Sequence, residues 1–206
     1  MQLDVPVIGI LRGVEASLFF EIMQTSFAQG LQAIEVTMNT PRAEQIVAAY
    51  RSHVPPGKLL GMGTIRTLEE AEKAIAAGAM FLVSPNLDRE VIEYARTEDV
   101  PIVTGAFTPT EAYAAWSAGA DMVKIFPCSA LGPTYIRDLL GPFEQLPLVA
   151  VGGVTIDNVG EYLEAGARAV GVSTSLFGRD AVKKQDMTEL ALNVKNFIEK
   201  CQEANK

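Results

Sequence analysis

Ser117-Ala-Gly-Ala-Asp-Met-Val-Lys-Ile-Phe-Pro127 reads as the end of a helix, a glycine stop, a short link, and an apolar strand cut off by proline. The order recurs in Ala28-Gln-Gly-Leu-Gln-Ala-Ile-Glu-Val-Thr37, in Ala77-Gly-Ala-Met-Phe-Leu-Val-Ser-Pro85 and in Glu164-Ala-Gly-Ala-Arg-Ala-Val-Gly-Val-Ser173. Gly30, Gly78, Gly119 and Gly166 fill the position where a left-handed residue ends a helix. The strands are short and apolar on both sides, the pattern of a parallel sheet covered by helices.

Working outward from these four units gives eight. Strands are expected near Val5–Leu11, Ala33–Thr37, Leu59–Met62, Met80–Val83, Pro101–Val103, Met122–Ile125, Leu148–Val151 and Ala169–Val172. Helices are expected near Glu15–Gln29, Arg42–Arg51, Leu68–Ala77, Arg89–Thr97, Pro109–Ala118, Tyr135–Leu140, Asn158–Ala165 and Met187–Ala204. Thr67 with Glu70, and Thr108 with Pro109 and Glu111, are capping-box signals. Asp88 and Asp157 are expected N-caps. Eight alternating units in 206 residues predict one α/β domain, a single compact (β/α)8 TIM barrel over residues 1–206. A doubly wound open sheet would instead place a Gly-rich phosphate turn after the first strand. That strand runs into Leu11-Arg12-Gly13, and Gly61-Met-Gly63 continues as Thr64-Ile-Arg66 without a third glycine.

Composition narrows the function. The net charge of −8, with acidic residues scattered, argues against a nucleic-acid partner and requires local positive groups for any anionic substrate. No signal segment is visible, and no apolar run approaches the ~18 residues of a membrane span, so no membrane partner is expected. Cys128 and Cys201 are far apart and outside any CxxC, as in a reduced cytoplasmic protein. His53, the only histidine, lies in a polar loop flanked by Pro55 and Pro56. A histidine-built zinc site and a Ser-His triad are therefore unsupported, and neither metal nor cofactor is expected.

Lys124 interrupts an apolar strand. An ordinary lysine has a pKa of about 10.4 and is a free amine about once in 2,500 at pH 7, whereas burial lowers that pKa and makes the nucleophilic form common. The alternatives are neutralisation by a buried carboxylate or a stem that snorkels out. Glu35 interrupts a strand in the same way, as a proton carrier or as the ion-pair partner of Lys124 or Arg12. In a barrel, chemistry gathers at the C-terminal strand ends. Those ends carry Arg12, Glu35 with Thr37 and Asn39, Thr64, Ser84-Pro85-Asn86, Thr104, Lys124 with Phe126, Gly152-Gly153 and Ser173-Thr174-Ser175. Gly152-Gly153 and Ser173–Ser175 fit a phosphate site of backbone N–H groups and hydroxyls, with an ordinary tight turn as the alternative. The Arg12 fork suits a carboxylate. A carboxylate-based phosphosugar isomerase and a non-catalytic phosphosugar-binding barrel are the rival functions.

Several segments carry a family resemblance: Ile8-Gly-Ile-Leu-Arg-Gly13, Ile34-Glu-Val-Thr-Met-Asn-Thr-Pro41, Gly61-Met-Gly-Thr64, Val83-Ser-Pro-Asn86, Val123-Lys-Ile-Phe-Pro127 and Ala150-Val-Gly-Gly-Val-Thr155. Over nearly its whole length the chain resembles the class I aldolases of 2-keto-3-deoxy-6-phosphogluconate and its galactonate epimer, with 4-hydroxy-2-oxoglutarate as a related substrate. The resemblance implies Lys124 as the Schiff-base lysine and Glu35 as general acid and base. It implies Arg12 and Thr64 at the pyruvate carboxylate, Pro85 and Phe126 as pocket walls, and Gly152, Gly153 and Ser175 at the phosphate. It also implies a homotrimer. Asn39 and Val151, with Ser129-Ala-Leu-Gly-Pro-Thr-Tyr-Ile136, look like the galactonate type, in which Arg12 would replace an arginine that gluconate-type members carry at position 39. Leu140-Gly-Pro-Phe143 is more typical of the gluconate and bifunctional members. On balance the resemblance leans to galactonate.

Overall fold

The computed structural model describes residues 1–204. Eight parallel strands close into a barrel in sequence order. They are β1 (Val7–Leu11), β2 (Ala33–Thr37), β3 (Leu59–Gly63), β4 (Leu82–Val83), β5 (Ile102–Ala106), β6 (Met122–Ile125), β7 (Leu148–Val151) and β8 (Ala169–Val172). The helices are α1 (Ala16–Ala28), α2 (Ala43–Tyr50), α3 (Leu68–Ala76), α4 (Arg89–Thr97), α5 (Pro109–Ser117), α6 (Gly132–Leu140), α7 (Val159–Glu164), α8 (Thr174–Phe177), α9 (Arg179–Lys184) and α10 (Met187–Ala204).

The four repeated glycines end α1, α3, α5 and α7 with φ between 93° and 103°. In each case the next residue's N–H reaches back five residues: Leu31 to the Ser26 carbonyl, Ala79 to Ala74, Ala120 to Ala115, and Ala167 to Tyr162. This is the Schellman closure, and it turns the chain directly into the following strand. The helix starts follow the sequence less uniformly. Thr108 and Glu111 cap each other reciprocally, and Asp88 accepts from the N–H groups of Glu90 and Val91. Thr67 accepts from Glu70 N–H, but the Glu70 carboxylate turns to the backbone and guanidinium of Arg66, so only half of that box forms. Asp157 does not cap α7. Asn158 precedes that helix and spends its side chain on the preceding turn, accepting from Thr155 N–H at 2.8 Å and donating to the Gly153 carbonyl at 3.0 Å.

Most strand boundaries fall within two residues of those expected. β4 is shorter, and Met80 and Phe81 precede it. β5 is longer, because Thr104, Gly105 and Ala106 pair with Val123, Lys124 and Ile125. The sequence pattern predicts neither of the short helices α8 and α9. Ser173-Thr174-Ser175 reads as a loop, and Gly178, at φ 77°, separates the two pieces.

Alternation along the strands sorts side chains into two apolar groups. Outward residues pack under the helices, while Ile8, Ala33, Phe81, Val83, Val103, Met122, Val149, Val151 and Ala169 fill the barrel interior. Lys124 lies two residues beyond Met122 and Glu35 two beyond Ala33, so both share the inward face. The interior is closely fitted. A Cβ at Gly61 would lie 2.5–2.6 Å from ring atoms of the fully buried Phe81. Gly61→Ala is expected to cost about 1–3 kcal/mol by overpacking, a drop of roughly 2–10 °C in Tm for a domain of this size. Circular-dichroism melting checks this, and an unchanged Tm would refute it.

Candidate active site

The C-terminal mouth of the barrel opens into a cavity of about 680 Å³. Arg12, Glu35, Thr64, Pro85, Lys124, Phe126, Val151, Gly152, Gly153 and Ser175 all line it. Asn39 does not. It sits exposed in the turn after β2, because that turn closes back on itself: Thr40 N–H donates to the Thr37 carbonyl, and the two threonine hydroxyls lie 3.1 Å apart. Ser84 is also committed elsewhere, donating to the Asn86 carbonyl and accepting from Gly105 N–H. Thr104 lies on the outward face of β5, with its hydroxyl buried and unpartnered among the described residues. Ile10 and Gly171 line the cavity without having been expected there. The strand period could have found them, since each lies two residues along from an inward side chain.

Lys124 is 7 % exposed and Glu35 1 %. No ion pair within 4.0 Å joins Glu35 to Lys124 or Arg12 among the described residues, so the simple salt-bridge explanation of these buried groups does not hold. Their charges still act on one another. Burial pushes the Glu35 carboxyl up to about 7, against the opposing pull of Lys124 and Arg12. Burial likewise pushes the Lys124 amine below the ordinary lysine value; Glu35 partly restores it and Arg12 lowers it further. One Glu35 oxygen, Oε2, has no hydrogen-bond partner among the described residues. Lys124 Nζ stands 4.8 Å from the centroid of the Phe126 ring. A buried amine and a buried carboxyl whose proton affinities have moved towards each other are suited to nucleophilic attack coupled to proton transfer.

Backbone shape completes the site. Thr64, directly after β3, has φ 60°. A β-branched residue in the left-handed region is a true outlier, and such strain gathers at functional sites. Gly152 and Gly153 have φ 92° and 82° in succession, a turn unsuited to L side chains. A Cβ at Gly153 would also lie 2.6 Å from that of Ser129, so the turn packs directly on the segment after β6. The Asn158 side chain braces the same turn. Opposite it, Ser173, Thr174 and Ser175 line the cavity and are exposed.

Residues 3–192 match the family model described as KDPG and KHG aldolase. The chain is 32 % identical over 202 residues to the 2-dehydro-3-deoxy-6-phosphogalactonate aldolase of Escherichia coli (strain K12), covering 98 % of each chain. Among solved structures it superposes on one described as native KDPGal with a TM-score of 0.92 and 31 % identity, over 100 % of this chain and 98 % of that one. A KDPG aldolase from Legionella pneumophila, solved with pyruvate captured as a covalent carbinolamine intermediate, aligns with a TM-score of 0.83 and 26 % identity over 97 % and 94 % of the two chains. With the barrel, the desolvated lysine–glutamate pair and these full-length matches in agreement, the chain belongs to the KDPG and KHG aldolase family of carbon–carbon lyases.

Proposed function

We propose that this chain is a class I aldolase cleaving 2-dehydro-3-deoxy-6-phosphogalactonate to pyruvate and D-glyceraldehyde 3-phosphate. The observation that carries the reading is Lys124, a desolvated amine projecting into the cavity beside a carboxyl of raised pKa. Neutral Lys124 attacks the C2 ketone, and loss of water leaves a protonated imine. That cation draws the electrons of the C3–C4 bond as ionised Glu35 takes the C4 hydroxyl proton. The aldehyde departs, the resulting enamine is protonated at C3, and hydrolysis releases pyruvate and regenerates the amine. Glu35 titrates close to neutrality, so it can both accept and return that proton at physiological pH. The carbinolamine in the Legionella relative supports a carbonyl-attacking amine in this family.

Arg12 and Thr64 are assigned to the carboxylate of the pyruvyl half, and Pro85 and Phe126 to the walls. Gly152, Gly153 and Ser175 are assigned to the phosphate, which they would meet with neutral donors. The galactonate epimer is favoured by the named substrate of the E. coli relative and by asparagine in place of arginine at position 39, with Arg12 as the guanidinium lining the cavity. The gluconate epimer is the second reading, supported by Leu140-Gly-Pro-Phe143. A homotrimer is proposed as the working assembly, supported by an aromatic face in which Phe107, Tyr113 and Trp116 are exposed and Tyr113 stacks on Phe143 at 5.2 Å. No helix among the described residues is long and apolar enough to cross a membrane, and both cysteines are free and buried, in keeping with the cytoplasmic location proposed.

Three outcomes are expected. Incubation with pyruvate and borohydride should add one reduced pyruvyl group to the wild-type chain, mapped to Lys124 by peptide mass spectrometry and missing from Lys124→Met. An adduct that persists in folded Lys124→Met would remove the assignment. Comparison of kcat/KM for the two 6-phosphates should favour the galactonate epimer, and a preference for gluconate would transfer the proposal to the second reading. Light scattering should return three times the chain mass, and a monomer would exclude the trimer.

A further inference from the structure

The missing side chain of Gly63 has a chemical consequence. Gly63 ends β3, is fully within the core, and pairs with Thr37 of β2. Glu35 lies two residues before Thr37 on the same inward face and pairs with Gly61. Its side chain does not stay level with its own pairing partner. It leans one inward position towards the mouth and lays its carboxylate against Gly63. A Cβ at position 63 would lie 2.7 Å from Oε2, with Cδ and Oε1 closer still. All three atoms stand inside the distance that real Cβ atoms keep. The contact at Gly61 is with the Phe81 ring instead.

We propose that Gly63 is a positioning residue for Glu35: its bare Cα is the seat that lets the carboxylate lie low over β3 and face Lys124 across the cavity. The inference rests on the reading of Glu35 as the proton carrier. Three facts favour a role in chemistry over one in packing. Gly63 has no positive φ, so its backbone alone does not demand glycine. The atoms a methyl group would strike are the far end of a flexible side chain, which can swing away. The room thus kept is filled by the group proposed to move the proton, and not by an apolar residue.

Gly63→Ala is therefore expected to fold and to displace the carboxylate. Deuterium exchange into the methyl group of pyruvate separates the two roles. Imine formation needs Lys124, whereas wash-out of the methyl protons also needs the proton carrier. In Gly63→Ala, borohydride trapping at Lys124 should persist while methyl exchange falls about 100-fold, the scale on which a group misplaced by about 1 Å loses rate. The rising limb of the pH profile, expected near 7 in the wild type from the raised Glu35 carboxyl, should move towards the ordinary carboxylate range, because the displaced group regains water. A merely structural change moves neither readout. Gly61→Ala, with its methyl against Phe81, serves as that control: Tm falls and the exchange-to-trapping ratio stays at the wild-type value. Unchanged exchange and an unchanged pH limb in folded Gly63→Ala would overturn the proposal. Glu35→Gln shows which reading has failed. If it loses exchange while Gly63→Ala does not, the positioning role alone is wrong; if it keeps exchange, the reading of Glu35 falls and the proposal with it. Should Gly63→Ala prove too unstable to purify, Gly63→Ala/Glu35→Asp withdraws the carboxylate by one methylene and should restore folding. A double variant as unstable as the single one would place the clash elsewhere and overturn the proposal.

Discussion

The structure depends on the desolvation of Lys124 and Glu35 at the boundary between a sealed barrel interior and an open mouth. Below them the inward residues Ile8, Phe81, Val103, Met122 and Val149 pack as one apolar group. Above them the cavity is open to solvent and lined by hydroxyls and glycines. At that boundary both groups have lost most of their hydration, Glu35 nearly all of it, and each feels the other's opposite charge. Burial without those opposing charges would make ionisation prohibitive, and full exposure would leave an ordinary ammonium and an ordinary carboxylate. The level at which the two groups sit in the barrel therefore decides whether they can exchange protons near neutrality. That level is set by strand register: Lys124 beside Gly105 and Val149, and Glu35 beside Ile10 and Gly61.

Keeping that register needs gaps as much as side chains. An eight-stranded barrel has a narrow interior, so a large residue on one strand demands a small one on its neighbour. Phe81 crosses over Gly61. The backbone of Pro85 comes so close to Gly105 that a Cβ there would lie 2.6 Å from the Asn86 nitrogen. Val151 and Ile10 close over Gly171, where a Cβ would stand 2.8 and 3.2 Å from them. Each gap either packs the interior or lowers a loop into the mouth. The Pro85 wall and the place of Glu35 both follow from bare Cα atoms on a neighbouring strand.

Much of this was legible in the sequence because the barrel is a repeated solution. Four glycine stops followed by apolar strands determine the element order, and alternation along each strand determines which residues turn inward. Lys124 and Glu35 stood out as charges in apolar strands, and the cavity contains them both. What escaped had local competitors. Asn39 follows a strand end and carries a polar amide, yet the Thr37–Thr40 hydrogen bonds curl the turn so that it faces solvent. Asp157 looked like a cap, but Asn158 takes the position next to α7 and uses its side chain to brace Gly153. Glu70 had two calls on its carboxylate, and Arg66 won it from Thr67. The left-handed backbone of Thr64 leaves no trace in composition, since strain of that kind is imposed by neighbours and not by the residue itself. Gly63 belonged to a visible motif, but only the three-dimensional path of Glu35 shows what its missing side chain makes room for.

The chain carries a net charge of −8, so the far field repels an acid bearing both a carboxylate and a phosphate. Screening confines that repulsion to about 8 Å at physiological ionic strength, and recognition then rests on what lines the cavity. Among the described lining residues the cations are Arg12 and Lys124. In the proposed reaction Lys124 acts as the neutral amine, which leaves Arg12 as the one fixed positive charge among the described residues of that lining. A second fixed cation close to Lys124 would lower its pKa further, as Arg12 already does, and would also draw Glu35 back towards the ordinary carboxylate range. The neutral donors proposed for the phosphate, at the glycine turn and the serine-rich segment, avoid that conflict. They can hold an anion at the far end of the cavity without disturbing the proton affinities on which the lysine and the glutamate depend.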